Sequence, residues 1–487
     1  MFLYGFIMYI LCILFSTLLF LIYFKFFLIK TVSFISSALR YIKIMIFQLI
    51  FLCAVYVFVL YFFLYMMTQP VFLFFNIPVI SALNYQPVPL VFFDACGIYI
   101  YPFAFIFIFI TMLAIIYSLA YNINETYLFS SYCVLILIVG FFLFQTDSLI
   151  IFFLFYEMLL IPSFLILYTF AKTKRCIEAA YLMFFWTQFG ALFLIFAFIY
   201  VYIVVGSLNF KHIVLVSFNS FELNFLFSLL YLGFGVKLPV WPFYGWLPKA
   251  HVEASTNFSI FLSGVLVKFA FFGLFKCLFL FSLEPTFIYA YPALILGLID
   301  SSFKLFYQID LKKLVAYSTV VEMHWLTICA LSGQSAWYLT MFCMLISHAF
   351  LSTNAFFFVD AVNRRVKTRL TVEISGINFL YPKLFLLILI NLLIFLGFPG
   401  TLFFIAEFLF FTFFLDFLPF TAICIFFLLY FFMPTFFFKS WVNVIFGLMD
   451  KHNTRLLNDI NKKEFFIYST LIIIMIWLGF TWQSFLF

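Results

Sequence analysis

For roughly twenty residues at a time, about fourteen times in succession, this chain is apolar enough to cross a lipid bilayer. Hydrocarbon offers no water to backbone N–H and C=O groups, so each such run is constrained to be a helix. A soluble domain with an oversized core is excluded on composition: 68% of 487 residues are hydrophobic and 9% are charged, more apolar surface than a soluble domain can bury. The expected architecture is an all-α polytopic membrane protein. Its runs fall near 2–24, 44–67, 98–120, 126–146, 148–170, 179–205, 225–247, 256–281, 286–304, 311–331, 338–359, 384–414, 417–438 and 465–486. The stretch 68–97 is ambiguous, because VFLFFNIPVISAL reads equally as a re-entrant or a surface helix. The first run is too long for a signal peptide and lacks a basic prefix and a small-residue cleavage site, so it is expected to be retained.

Charge placement orients these helices. Of the 25 Lys and Arg residues, 21 fall in alternate loops, those after the first, fifth, seventh, ninth, eleventh and thirteenth runs. Only Lys211 and Lys276 fall on the other side, and two more, Lys237 and Lys268, lie inside apolar runs. The positive-inside rule places the basic loops in the cytoplasm or matrix and both termini opposite. The net charge of +7 therefore reflects topology and predicts no nucleic-acid partner. Nine scattered cysteines form no CxxC or Cys/His spacing, which argues against zinc, iron–sulfur and disulfide frameworks. Phe supplies 86 residues against 17 Gly. That bias points to T-rich codons and an organellar genome, and to helix interfaces built from aromatic interdigitation more than from small residues.

Two runs are broken. The seventh contains Pro239, Pro242, Gly245 and Pro248, and the twelfth contains Gly397-Phe398-Pro399-Gly400. With runs four to eight taken as one unit (125–284) and nine to thirteen as another (285–440), each break lies on the fourth helix of its unit. Residues 1–124 then hold three preceding helices, and 441–487 a basic loop and a final helix. Five is odd, so the units would be inverted repeats, and paired broken helices at matching positions are a transporter signature.

Several runs carry an ionisable residue near mid-depth: Glu157, Lys237, Lys268, Glu322 with His324, His348 and Glu407. A lone charge at the bilayer centre costs at least about 2.5–3.5 kcal/mol, and such residues mark ion or proton paths more often than anchors. Burial disfavours the charged form and an opposite charge restores it, so a Glu157–Lys237 pair can switch. When the partners part, Lys237 tends to release a proton and Glu157 to take one. Lys268 and His348 suit intermediate carriage. Lys249, His251 and Glu253 sit at the interface end of the seventh run, where anchoring competes with function. No GxGxxG, Walker, HExxH or Ser/His/Asp pattern is present. A haem b would need His324 with His348, a weak pairing in a chain with 5 histidines.

The segment GVKLPVWPFYGWLPKAHVEA resembles the signature of the antiporter-like membrane-arm subunits of respiratory complex I. Trp246 to Lys268 resembles the chain 4 branch of that family in particular. FYEMLLIP (155–162), QIDLKKLVAYS (308–318), ISHAFLS (346–352) and GFPGTLFFIAEF (397–408) resemble further family motifs in order and spacing.

This resemblance implies a fourteen-helix proton-translocating subunit of NADH:ubiquinone reductase. Glu157 would be the essential glutamate, Lys237 its partner, Lys268 the central lysine, His348 the second-unit histidine and Glu407 the terminal acid. No cofactor is implied in this chain, with NADH, FMN, iron–sulfur clusters and ubiquinone in other subunits. The implied partners are the neighbouring antiporter-like chains 2 and 5, other complex I subunits, lipids and protons. The implied location is the mitochondrial inner membrane, basic loops to the matrix and termini to the intermembrane space.

The chain departs from the family in one informative place: His-Met becomes Glu322-Met323, with His324 two positions on. Two positions are about 200° around a helix, so His324 is expected to face away and Glu322 or water to serve the relay. Phe404 and Ala406 replace the family's Asn and Gly, which puts the hydration of Glu407 in question. An Mrp-type cation/proton antiporter would share the lysines and breaks, and a structural arm subunit with a decayed relay would accommodate Glu322.

Overall fold

The computed structural model describes residues 103–104, 106–118, 126–171, 173–281, 290–331, 335–417, 425, 433–447 and 459–481. The runs expected at 2–24 and 44–67, and the ambiguous stretch 68–97, lie outside the described residues. What is described is helical, without β-strands: α1 (Ile106–Ser118), α2 (Thr126–Phe144), α3 (Leu149–Thr169), α4 (Lys174–Val205) and α5 (Ser220–Lys237) come first. They are followed by α6 (Trp246–Glu253), α7 (Thr256–Leu280), α8 (Ala290–Phe306), α9 (Leu311–Leu331) and α10 (Ser335–Val366). The last are α11 (Pro382–Phe395), α12 (Leu402–Phe417), α13 (Met433–Phe446) and α14 (Lys462–Thr481). Six of the described helices, α3, α4, α7, α9, α10 and α14, are long and apolar enough to span a bilayer.

Apolar periodicity cannot sort these helices, because they are hydrophobic on every face. Burial sorts them. In α7, α9 and α10 the apolar window is 94%, 94% and 100% buried, against 44% in α3 and 33% in α4. The first three form the interior, and they carry Lys268, Glu322 and His348. On α4 the outward stripe is Phe185, Phe189, Leu192, Phe196, Ile199 and Ile203, while Gly190, Ala191, Leu194 and Ala197 face inward. Small residues inside let α4 approach α5: a Cβ at Gly190 would stand 2.8 Å from the Gly233 carbonyl oxygen. Aromatic interdigitation carries other interfaces. Trp325 of α9 meets Phe403, Phe410 and Phe411 of α12, and Phe395 of α11 stacks on Phe437 of α13 with centroids 4.1 Å apart.

Both expected breaks are present, and each is closed by its own chemistry. After α5 stops at Lys237, the Leu238 and Val240 N–H groups return to the Phe234 and Gly235 carbonyls, and the Trp246 indole N–H caps the Val236 carbonyl at 2.8 Å. A 3-10 turn at Phe243–Gly245 leads into α6. The second break closes α11 with Gly397 at φ 70°, the left-handed position that ends many helices. Thr401 then caps α12 by accepting the Phe404 N–H at 3.3 Å. Gly479 of α14 lies against this break, where a Cβ would strike the Gly400 and Thr401 backbone.

The basic clusters that report sidedness also hold helices together. Arg364 pairs with Asp360 and Glu464 at 2.9 Å each, Arg365 bonds Glu464 at 2.6 Å, and Tyr117 donates to Asp360. Three helices, α1, α10 and α14, meet there. Some boundaries move. The thirteenth run, expected to end at 438, is helical to Phe446, so Lys439 sits within α13 with its ammonium 4.7 Å from the Phe306 ring centroid. The eleventh run extends to Val366, because its polar end is paired instead of solvated.

Candidate functional site

Two polar clusters lie within the helical body. The first joins α3, α4 and α5. Lys237 Nζ donates to Glu157 Oε1 at 2.9 Å, Gln188 Nε2 donates to Glu157 Oε2 at 3.0 Å, and Lys237 sits 3.7 Å over the Tyr156 ring centroid. The two charged side chains are 14% and 17% exposed, so water does not screen their attraction fully. Lys237 is the last residue of α5. The break places it at a helix C-terminus, where the dipole favours a cation. Gln188 and the ring of Tyr156 were not anticipated. Both follow from cross-helix packing that motif spacing does not encode.

The second cluster joins α7, α9 and α10. Lys268 Nζ lies 2.6 Å from His348 Nδ1, and His348 Nε2 lies 3.7 Å from Glu322 Oε2. All three residues are at most 2% exposed. A local irregularity prepares Lys268: α7 widens to a π turn over Leu262–Leu266, and Val267 N–H returns to Leu262 instead of Ser263. The Ser263 carbonyl is thereby released to accept from the Lys268 ammonium, a use typical of π bulges at functional positions. Glu407 of α12 is also buried, within electrostatic reach of Glu322. Its neighbour Ala406 is fully buried, and Phe404 stacks with Phe408 at 6.2 Å.

Beside the first cluster is a cavity of about 40 Å³ lined by Tyr156, Ser163, Thr187, Lys237, Leu266 and Val267, among others; its α7 wall includes the residues on either side of Lys268, and no member of the second cluster lines it. That space admits one to a few waters, with polar groups to hold them.

His324 does face away from the second cluster. Its Nδ1 lies 2.8 Å from the Val320 carbonyl and its Nε2 accepts the Trp241 N–H at 2.8 Å. With both nitrogens occupied, His324 has none to offer a haem iron. Of the residues for which anchoring competed with function, His251 is fully buried and stacks on Phe356 with centroids 4.9 Å apart, because α6 folds back into the bundle. Lys249 on the same helix is exposed. Sequence reading also missed the group Tyr244, Asp300 and Lys304, in which Lys304 bonds the Tyr244 hydroxyl at 2.6 Å and Asp300 at 2.8 Å. Lys276, read from sequence only as a charge on the sparser side, bonds the Thr146 carbonyl at 2.9 Å and lies over the Phe210 ring.

Comparison with known proteins gives the arrangement its context. The model of the family described as NADH:quinone oxidoreductase/Mrp antiporter, TM, matches residues 146–433. NADH-ubiquinone oxidoreductase chain 4 of Paramecium tetraurelia is 41% identical over 264 residues, 54% of this chain and 56% of that one. The chain thus spans a little over half the length of that relative. Chain 4 of Prototheca wickerhamii is 30% identical over 385 residues, 75% of this chain and 71% of that one. Among solved structures, a chain of respiratory complex I from Thermus thermophilus with bound NADH superposes with TM-score 0.69 at 20% identity, covering 78% of this chain and 80% of that one. A chain of the Mrp complex from Dietzia sp. DQ12-45-1b superposes with TM-score 0.70 at 14% identity, covering 79% and 82%. These two share the fold, and the sequence relatives carry the kinship. The chain is a multi-pass membrane protein that belongs to the NADH:quinone oxidoreductase/Mrp antiporter family, on its chain 4-like branch.

Proposed function

We propose that this chain is a proton-translocating membrane-arm subunit of respiratory complex I. Redox chemistry in other subunits, which hold NADH, FMN, iron–sulfur clusters and ubiquinone, drives proton movement through its intramembrane relay. The observation that carries this reading is the pair of buried polar clusters, Glu157 with Lys237 and Lys268 with His348 and Glu322, the first of them opening on a cavity that Lys237 lines. A buried ion pair that can open is a switch. Contact with Glu157 favours the ammonium form of Lys237, and when the partners separate Lys237 can yield its proton toward the cavity.

Lys268 can pass a proton to His348 with little displacement, since their nitrogens are 2.6 Å apart. As an ammonium, Lys268 donates to a lone pair on Nδ1, so the ring proton is on Nε2 and faces Glu322. As an amine, Lys268 accepts from Nδ1–H, so the polarity of the bond reverses with the proton. The 3.7 Å step to Glu322 needs a small approach or a bridging water, and Glu407 follows on α12. Moving one charge against 100 mV takes about 2.3 kcal/mol, comparable to a change of one to two pK units in a carrier at about 1.4 kcal/mol each.

In this reading the two breaks belong to inverted five-helix repeats, 125–284 and 285–440, in a fourteen-helix subunit. Chains 2 and 5 would be its neighbours in the arm. The basic loops face the mitochondrial matrix, and both termini face the intermembrane space. The Mrp-type antiporter reading is favoured by the shared fold and by a family model that spans both classes, and copurification with an NADH-oxidising assembly separates the two.

The deciding experiment is proton translocation per NADH oxidised in sealed vesicles carrying the assembled complex, wild type against Lys237→Ala. A large fall in the ratio is expected. An unchanged ratio with normal assembly would leave the chain a structural member of the arm.

A further inference from the structure

His324 touches neither polar cluster, yet it is fully buried with both ring nitrogens engaged. The Val320 carbonyl can only accept, so Nδ1 bears the proton, and Nε2 is left with the lone pair that the Trp241 N–H needs. The ring is therefore held as one neutral tautomer. Its partner, Trp241, lies in the break, four residues beyond Lys237. The Leu238 and Val240 donors of the break return to α5 itself, whereas the Trp241 donor is met from α9.

Three further observations show that this contact is built in. Gly297 of α8 gives the ring its room: a Cβ there would overlap His324 Nε2 and stand 2.7 Å from the Trp241 Cβ. The Tyr244 ring closes the site edge-on, 6.0 Å from the imidazole. The far end of α6 is held from the same direction, where Lys312 bonds the Ala254 carbonyl at 2.5 Å and Arg369 the Val252 carbonyl at 3.0 Å. Two of the three holding residues are on α9, the helix that carries Glu322.

We propose that His324 is a positioning residue for Lys237: by accepting the Trp241 N–H it fixes the break, and so the reach of Lys237 to Glu157, from the helix that carries Glu322. This rests on the reading of Lys237 as a proton carrier and adds a mechanical link between the two clusters. The role requires a hydrogen-bond acceptor at the place of Nε2 and no proton exchange by the ring.

The test measures protons moved per NADH oxidised, normalised to assembled complex, in vesicles bearing His324→Leu, His324→Gln, Gly297→Ala or Lys237→Ala. A glutamine places an amide oxygen near Nε2, whereas leucine supplies no acceptor and Gly297→Ala crowds both the ring and Trp241. His324→Leu and Gly297→Ala should lower the ratio by a similar fraction, with NADH oxidation retained, and His324→Gln should recover most of it. A wild-type ratio in His324→Leu overturns the proposal. So does a His324→Gln variant as poor as His324→Leu, since that would make the imidazole itself a carrier. If Gly297→Ala fails to assemble, the His324 pair decides alone. A wild-type ratio in Lys237→Ala would overturn the proton-carrier reading as well, whereas a fall there with intact His324 variants would overturn only the positioning role.

Discussion

Glu157 and Lys237 illustrate how much a single buried pair decides. Removing one partner leaves the other charge without compensation, a loss of about 3–5 kcal/mol in buried pairs, while removing both leaves nothing charged to bury. Lys237→Met alone should therefore lower the thermal midpoint of the assembled complex more than Glu157→Gln with Lys237→Met together, and pumping should be lost in both. A double variant no more stable than the single would mean the pair is not coupled as its 2.9 Å contact implies. The charged residues at mid-depth were legible because apolar surroundings make a charge conspicuous. The 200° turn that sends His324 away from Glu322 was legible because helical period is local. Gln188, Tyr244 and Asp300 were not, since polar residues become informative only when distant helices bring their partners.

At the scale of elements, the breaks and the α4–α5 crossing govern where the proposed carriers stand. Gly190 sits where a Cβ would press 2.8 Å from the Gly233 carbonyl, so Gly190→Ala should force α4 and α5 apart. Overpacking of this kind costs about 1–3 kcal/mol, and the separation also draws Gln188 from Glu157. Assembly yield and proton ratio should both drop, while Phe196→Ala on the outward stripe should leave yield within error. Among the described helices α9 covers the expected 311–331, since apolar length is the signal and polar loops bound it, whereas α10 and α13 run past their expected ends. The π turn of α7 was invisible, because nothing in LSGVL departs from ordinary helix composition, and the widening answers to the Lys268 ammonium and the close contact of Gly264 with α1 and α10.

For the molecule as a whole, charge asymmetry predicts a sidedness that cysteine labelling can check. In sealed vesicles, Lys367→Cys and Lys211→Cys, both at exposed positions, should react with an impermeant maleimide from opposite faces. Labelling from the same face would overturn the topology. The expectation that Phe would take over from small residues held for the α9–α12 and α11–α13 contacts and failed at α4–α5, where a glycine crossing is used. Composition describes the average interface and cannot say which pair of helices must come closest.

Lys268 belongs to α7, and the two groups beside it, His348 and Glu322, belong to α10 and α9. The seam between the two proposed sequence units would thus pass through the middle of the proposed proton centre. If the chain were expressed as two polypeptides parted between α7 and α8, each would carry an incomplete half of that centre, and neither could move a proton through it until they met. A gene fission at that seam could survive only where reassembly is nearly complete, whereas the separate units could not drift apart as independent carriers.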